Sequence, residues 1–183
     1  MLKTFKSDLL KYKRYSGRSN IILLLTQQGL WAIFIYRFNN SVFRSNFPRY
    51  IKVIFLVIGL FFQKLIEILT GISLPYSATI GKQFYIGHFG GIIINSKAVI
   101  GENCNISQGV TIGVSGTGNN RGVPKLGDNI YVGVNAVIAG DIKIGNNVVI
   151  GANSLVIKSI ESNVTVLGVP AKKVSDNNSE QYI

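Results

Sequence analysis

Aliphatic residues recur along the second half of the chain with a step of six. From Leu74 the series runs through Ile80 and Ile86, resumes at Ile94, Ile100, Ile106 and Ile112, and resumes again at Leu126, Val132, Ile138, Ile144, Ile150 and Val156. The next residue is often glycine (Gly81, Gly87, Gly101, Gly113, Gly127, Gly133, Gly145, Gly151), and the position four after the aliphatic one is small or aliphatic, as at Ala98, Cys104, Val110, Ala136, Val148 and Ser154. A six-residue unit is too short to hold a helix. It suits a short strand and a bend with two side chains turned inward, and glycine and asparagine serve the bends because they accept positive φ at low cost. Three such units make one coil of a triangular parallel β-helix, which buries its apolar ladder only by stacking coil on coil. The competing all-β architecture, a sandwich, would space its strands at about 8 to 12 residues with variable loops.

The rhythm breaks twice. Between Ile86 and Ile94 the step is eight, so two extra residues bulge beside His88, the only histidine of the chain. Between Ile112 and Leu126 the step is fourteen, so the polar, glycine-rich stretch from Val114 to Lys125, which includes Asn119 and Asn120, leaves the prism as a loop. Insertions on a rigid scaffold are where binding groups concentrate.

The first seventy residues have a different pattern. Asn20 to Phe38 is apolar around Thr26-Gln27-Gln28, and Tyr50 to Leu69 is apolar with Lys52, Gln63, Lys64 and Glu67 interspersed; both stretches read as helices. The uninterrupted run from Val53 to Phe62 is ten residues, short of the roughly 20 that span a bilayer, so a spanning helix is not expected. The pattern divides the chain into a basic, apolar helical region (1–70), the repeat region (71–174) and a polar tail (175–183).

Charge sharpens that division. Residues 1–70 hold eleven Lys/Arg against Asp8 and Glu67, whereas 71–183 hold eight against six, so the appendage carries nearly all of the net +11. Two roles fit it: helices packed in an oligomer or on the prism end, or peripheral contact with an anionic membrane surface. A nucleic-acid partner is not expected, because no binding motif is present and the aromatics lie in apolar runs. Met1 to Gly17 lacks the apolar core of a secretory signal, and the single cysteine, Cys104, falls on an inward repeat position, which fits a small core residue in a reducing, cytoplasmic compartment.

Three segments carry a resemblance: Ile86-Gly87-His88-Phe89-Gly90-Gly91, Ile106-Ser107-Gln108-Gly109-Val110-Thr111-Ile112-Gly113, and Gly168-Val169-Pro170-Ala171-Lys172. Through them Leu74 to Val174 resembles the hexapeptide-repeat acyltransferases, and within these the serine acetyltransferase-like branch, which includes many enzymes that O-acetylate surface polysaccharides. The apolar stretch before the prism resembles that branch too. The resemblance implies an all-β left-handed parallel β-helix (a triangular prism) behind an N-terminal α-helical appendage, acetyl-CoA as cosubstrate, and a homotrimer with active sites between subunits.

Acetyl transfer from a thioester to a hydroxyl needs a base for the hydroxyl proton and donors for the oxyanion. An imidazole with an ordinary pKa of about 6.5 is largely neutral yet basic near pH 7, and His88 lies on the family's catalytic turn, so it is the expected base. Backbone N–H groups of the glycine-rich turns are the available oxyanion donors. A lone histidine counts against a metal site like that of the hexapeptide-repeat carbonic anhydrases.

The acceptor is read from departures. Serine acetyltransferases carry an aspartate before the catalytic histidine and an Arg-His pair just before the loop proline; this chain has Gly87, and Gly122-Val123 before Pro124. The family's upstream aspartate, which orients the histidine, falls on Ser73, leaving Glu102, Asp128 or a neighbouring subunit to supply a carboxylate. Losing charged groups suggests a neutral, glycine-rich acceptor pocket at Gly87 and Val123, suited to an uncharged polyol, with Arg121 or Lys125 placed to contact a nucleotide or lipid-linked pyrophosphate. The first expectation is therefore acetylation of a saccharide or nucleotide-sugar hydroxyl in capsule, O-antigen or exopolysaccharide biosynthesis. The second is serine O-acetylation for cysteine biosynthesis, favoured by the terminal Ile183, since serine acetyltransferases dock on the next enzyme through a terminal isoleucine. The third is a non-catalytic trimeric scaffold. Carried over by position, the acetyl-CoA groove falls on Val134, Ala152, Ile157 and Lys158, with Lys172 or Lys173 near the phosphates.

Overall fold

A computed structural model describes residues 1–118 and 121–183; Asn119 and Asn120, expected in the loop, lie outside the described residues. The six-residue rhythm becomes three sheets stacked around a triangular core. The first sheet orders β1 (Ile72–Ser73), β4 (Ile92–Ile94), β7 (Thr111–Gly113), β10 (Val137–Ala139) and β13 (Leu155–Val156). The second holds β2 (Thr79–Ile80), β5 (Val99–Ile100), β8 (Lys125–Leu126) and β11 (Lys143–Ile144). The third holds β3 (Tyr85–Ile86), β6 (Asn105–Ile106), β9 (Tyr131–Val132), β12 (Val149–Ile150), β14 (Thr165–Gly168) and β15 (Ala171–Ser175). Among the described residues all strand pairs are parallel except β14 with β15. Register pairs repeat positions directly, Ile86 on Ile106 and Ile106 on Val132, so the aliphatic series forms one buried ladder per sheet.

Each corner has its own chemistry. Where the second sheet turns into the third, Gln83, Asn103, Asn129, Asn147 and Asn163 adopt positive φ. Four of them form an amide ladder, Asn103 to Asn129 to Asn147 to Asn163, each step 2.8 Å. Where the third sheet turns into the first lies the His88 turn, and where the first turns into the second lies the long loop, closed as an antiparallel bridge between Ser115 and Gly122.

Four helices precede the prism: α1 (Leu2–Ser16), α2 (Asn20–Thr26), α3 (Gln28–Arg44) and α4 (Arg49–Thr70). Two details differ from the sequence expectation. The stretch Asn20 to Phe38 is two helices bent by 90° at Gln27, and the Trp31 indole donates to Leu24 O at 2.6 Å, satisfying a carbonyl that the break sets free. The basic segment before Gly17 is itself a helix.

Helices α1 and α3 seal the open end of the prism. The first coil has no strand above it, so its backbone groups need other partners. Tyr36 donates to Ala78 O and accepts from Ile80 N; Tyr12 donates to Ile86 O and accepts from Ile86 N. Arg37 donates to Ile80 O and Gly81 O at 2.6 Å each and pairs with Asp8, which accepts from Phe84 N.

Helix α4 packs on α3 through a narrow stripe; Gly59 permits the approach, and Asn39 donates to the Gly59 carbonyl at 3.0 Å. The apolar run of ten residues lies inside a longer helix: α4 is 22 residues, and an 18-residue window of it has mean hydropathy 2.1 with 17 % of that window buried, long and apolar enough to cross a membrane by length and composition alone. Lys52, Gln63, Lys64 and Glu67 interrupt the apolar run in sequence without ending the helix. The tail is not free either. Asn105 donates to Tyr182 O, Ser179 donates to Asn129 O, and Tyr182 packs on Tyr131.

Candidate active site

His88 lies on the turn joining β3 to β4, and Gly90 and Gly91 take positive φ to carry the two extra residues. The Gly90 carbonyl accepts from Gly109 N at 2.9 Å, so Gly90 continues the backbone column and His88 with Phe89 is the excursion. Both side chains are exposed. Below them along the same corner stack Gln108, Val134 and Ala152, tied by Asn135 N to Gln108 O and Asn153 N to Val134 O. His88 and Gly87 therefore share an edge with two of the expected cofactor positions. Ile157 and Lys158 leave β13 toward the second sheet, at the loop corner. Lys172 and Lys173 lie on β15, where Lys173 pairs with Asp176 at 2.5 Å, which raises its pKa.

The acceptor positions gather elsewhere. Arg121, Val123 and Lys125 line a cavity of about 440 Å³ with Lys97, Gly122 and Asp141, one side of the triangle away from His88. One chain thus brings the loop residues together but not with the base. Asp141, which sequence reasoning missed, comes from the β10–β11 turn and meets Gly122 backbone to side chain. Only the stacking of coils reveals it, because twenty residues separate it from Arg121. The cavity carries charge of both signs, and the expectation of a neutral pocket is corrected on that ground.

Glu102 and Asp128, the carboxylates considered as partners of His88, lie at the asparagine corner. Glu102 pairs with Lys82 at 3.1 Å, and Asp128 accepts from Glu102 N. They cannot reach the histidine of their own chain. Ser73 instead donates to Glu67 at 2.9 Å, a carboxylate also bound by Gln63 and Lys64. Burial alone would raise the Glu67 carboxyl; the three hydrogen bonds outweigh it and hold it below its ordinary value. Cys104 is buried, and desolvation pushes its thiol up to about 12, which leaves it an inert core residue.

Residues 124–158 match the bacterial transferase hexapeptide (six repeats) family. A serine acetyltransferase from Staphylococcus epidermidis is 33 % identical over 172 residues, covering 93 % of this chain and 77 % of that protein. The crystal structure of Neisseria gonorrhoeae serine acetyltransferase superposes with a TM-score of 0.81 at 33 % identity, covering 94 % of this chain; the chain spans 64 % of that one. The chain belongs to the serine acetyltransferase family. Its prism is the left-handed β-helix of that family, and it is an acetyltransferase that draws its acetyl group from acetyl-CoA; a related structure from Brucella abortus, 26 % identical with a TM-score of 0.82 and covering 96 % of this chain and 68 % of that one, is a complex with coenzyme A.

These relatives overturn the saccharide acceptor expected from Gly87, Gly122, Val123 and Ser73. The expectation weighed a few positions where charge is missing, whereas the likeness to serine acetyltransferases extends over nearly the whole chain. The loop corner is also richer in charge than its local motif suggests, since Lys97, Arg121 and Lys125 line its cavity together with Asp141.

Proposed function

We propose that the protein is a serine O-acetyltransferase of cysteine biosynthesis. The observation that supports this most directly is the placement of Arg121, Lys125 and Asp141 around one cavity, which suits a zwitterion: cations for the carboxylate and a carboxylate for the ammonium. His88 takes the hydroxyl proton as the serine oxygen attacks the thioester carbonyl. Backbone N–H groups of the glycine-rich turns hold the oxyanion. Collapse breaks the carbon–sulfur bond, and the departing thiolate takes the proton from the imidazolium, leaving O-acetylserine and free CoA.

Because His88 and the cavity occupy different corners, the working unit is a homotrimer in which the His88 edge of one prism faces the loop corner of the next. Val134 and Ala152 then flank the pantetheine arm beside His88, with Ile157, Lys158, Lys172 and Lys173 toward the nucleotide end.

The basic appendage adds a peripheral contact with an anionic membrane surface. Asp8 is fully buried and Glu67 largely covered, so the freely exposed charge of residues 1–70 is positive, beside the uncovered apolar face of α4. Antiparallel packing on α3, itself fastened to the prism, favours α4 lying along the surface over crossing it.

The test is release of free CoA thiol from acetyl-CoA in the presence of serine, with wild type and His88→Ala side by side. Serine-dependent release that disappears in the variant is expected. Absence of serine-dependent release by folded wild type refutes the assignment.

A further inference from the structure

We propose that Glu67 is the positioning residue of His88 and acts through the Ser73 hydroxyl. The proposal rests on His88 being the base. A neutral imidazole takes a proton at one nitrogen while the other carries its own, and an acceptor for that second N–H fixes tautomer and orientation and stabilises the imidazolium.

The chain has eight acidic side chains, and the fold sorts them by corner. Asp8 is sealed under Arg37. Glu102, Asp128 and Glu161 belong to the asparagine corner; the Ser162 hydroxyl next to Glu161 accepts from Asn146 N there. Asp141 lines the loop-corner cavity, and Asp176 and Glu180 lie in the tail. Glu67 alone lies in the last turn of the helix that ends against the His88 turn. Helix α4 ends against that turn: Ile92 N donates to Gly71 O at 3.0 Å, and a Cβ on Gly71 would come within 3.0 Å of Gly91 N and 3.2 Å of Gly90 Cα. Gly71, in the left-handed region at φ 65°, caps the helix by donating to Glu67 O at 2.8 Å. Ser73 is in register with Ile93, on the strand into which the His88 turn runs.

The hydroxyl of Ser73 spends its proton on Glu67, which leaves its lone pairs to accept from an imidazole N–H. Rotation of the exposed His88 ring onto Ser73 Oγ completes a chain of carboxylate, hydroxyl and imidazole. The carboxylate is already ionised and held by Lys64 and Gln63, so it is set in place before substrate arrives. A purely structural role, tying α4 to β1, is the competing account.

The two are separated by steady-state kinetics of thiol release with acetyl-CoA and serine in wild type, His88→Ala, Glu67→Gln, Ser73→Ala and the double variant Ser73→Asp/Glu67→Gln, with melting temperature and oligomer size recorded for each. General-base catalysis contributes about 10²- to 10⁴-fold, and loss of the positioning partner removes part of it. Glu67→Gln and Ser73→Ala are expected to lower kcat roughly tenfold to a hundredfold with both KM values changed less than about twofold. The double variant, with a carboxylate on β1 itself, is expected to recover most of kcat. Wild-type kcat in Glu67→Gln, a loss shared by KM and melting temperature, or no recovery in a folded double variant overturns the role of Glu67. Retention of turnover in His88→Ala overturns the base instead, so the two failures are distinct.

Discussion

Arg37→Ala removes the side chain that fastens both α1 and α3 to the prism. In the folded protein Asp8 is fully buried and Arg37 is 6 % exposed, with contacts of 2.9 and 3.1 Å between them. Removing one partner of such a pair leaves an uncompensated charge and costs about 3–5 kcal/mol. The Ile80 and Gly81 carbonyls lose their donors as well, which adds roughly 1 kcal/mol each where water cannot replace them. A total of about 5–7 kcal/mol corresponds to a fall in melting temperature of roughly 10–28 °C for a chain of this size. The double variant Asp8→Asn/Arg37→Met, which removes both charges, should lose much less, about 1–2 kcal/mol. Burial already raises the Asp8 carboxyl against the pull of Arg37 and the Phe84 amide, and deleting Arg37 lets it rise further. A raised carboxyl is penalised only above its unfolded value, and the penalty grows until the folded group has lost its proton. The deficit of Arg37→Ala against wild type should therefore be largest near neutral pH and shrink toward pH 4. Urea denaturation followed by circular dichroism at fixed protein concentration measures it. A deficit under about 1 kcal/mol, or one equal at both pH values, refutes the reasoning.

Lys11 is buried and donates to Asn103 at 2.6 Å, at the head of the amide ladder, and desolvation lowers its pKa to about 8. Below that value both states carry the charge and the folded one bears the penalty; between about 8 and the ordinary 10.5 the folded protein sheds the proton first. Wild type should thus gain stability relative to Lys11→Met between pH 7.5 and 10, measured as the difference in urea midpoints, and a constant difference excludes the effect. For the appendage, co-sedimentation with vesicles should show binding to anionic but not zwitterionic lipid, weakened by salt and by Phe55→Ser/Phe61→Ser; equal binding of both lipids, or of neither, removes the membrane contact.

How far the sequence reached differs between the two halves. The repeat region was legible because every six-residue unit meets the same demands, an apolar side chain inward and a bend residue tolerant of positive φ, and coils stack in direct register. The appendage was legible as helical but not in its breaks, because the turn at Gln27 depends on Trp31 reaching Leu24, a contact no local pattern marks. His88 stood out as the one histidine beside an insertion. Its surroundings did not, because corners are assigned by folding: Glu102 and Asp128 looked available as partners and lie along another edge, while Glu67, read only as an interruption of an apolar stretch, accepts from Ser73.

The sequence by itself determined the stacked prism, since a period of six leaves no other way to bury one aliphatic residue per unit, and it determined which residue has the proton affinity for base catalysis. Only the tertiary structure decided which charges share a corner. Asp141 meets Gly122 and shares a cavity with Arg121 because coils twenty residues apart lie one strand spacing apart in space, and Glu67 meets Ser73 because α4 ends in a left-handed glycine pressed against the His88 turn.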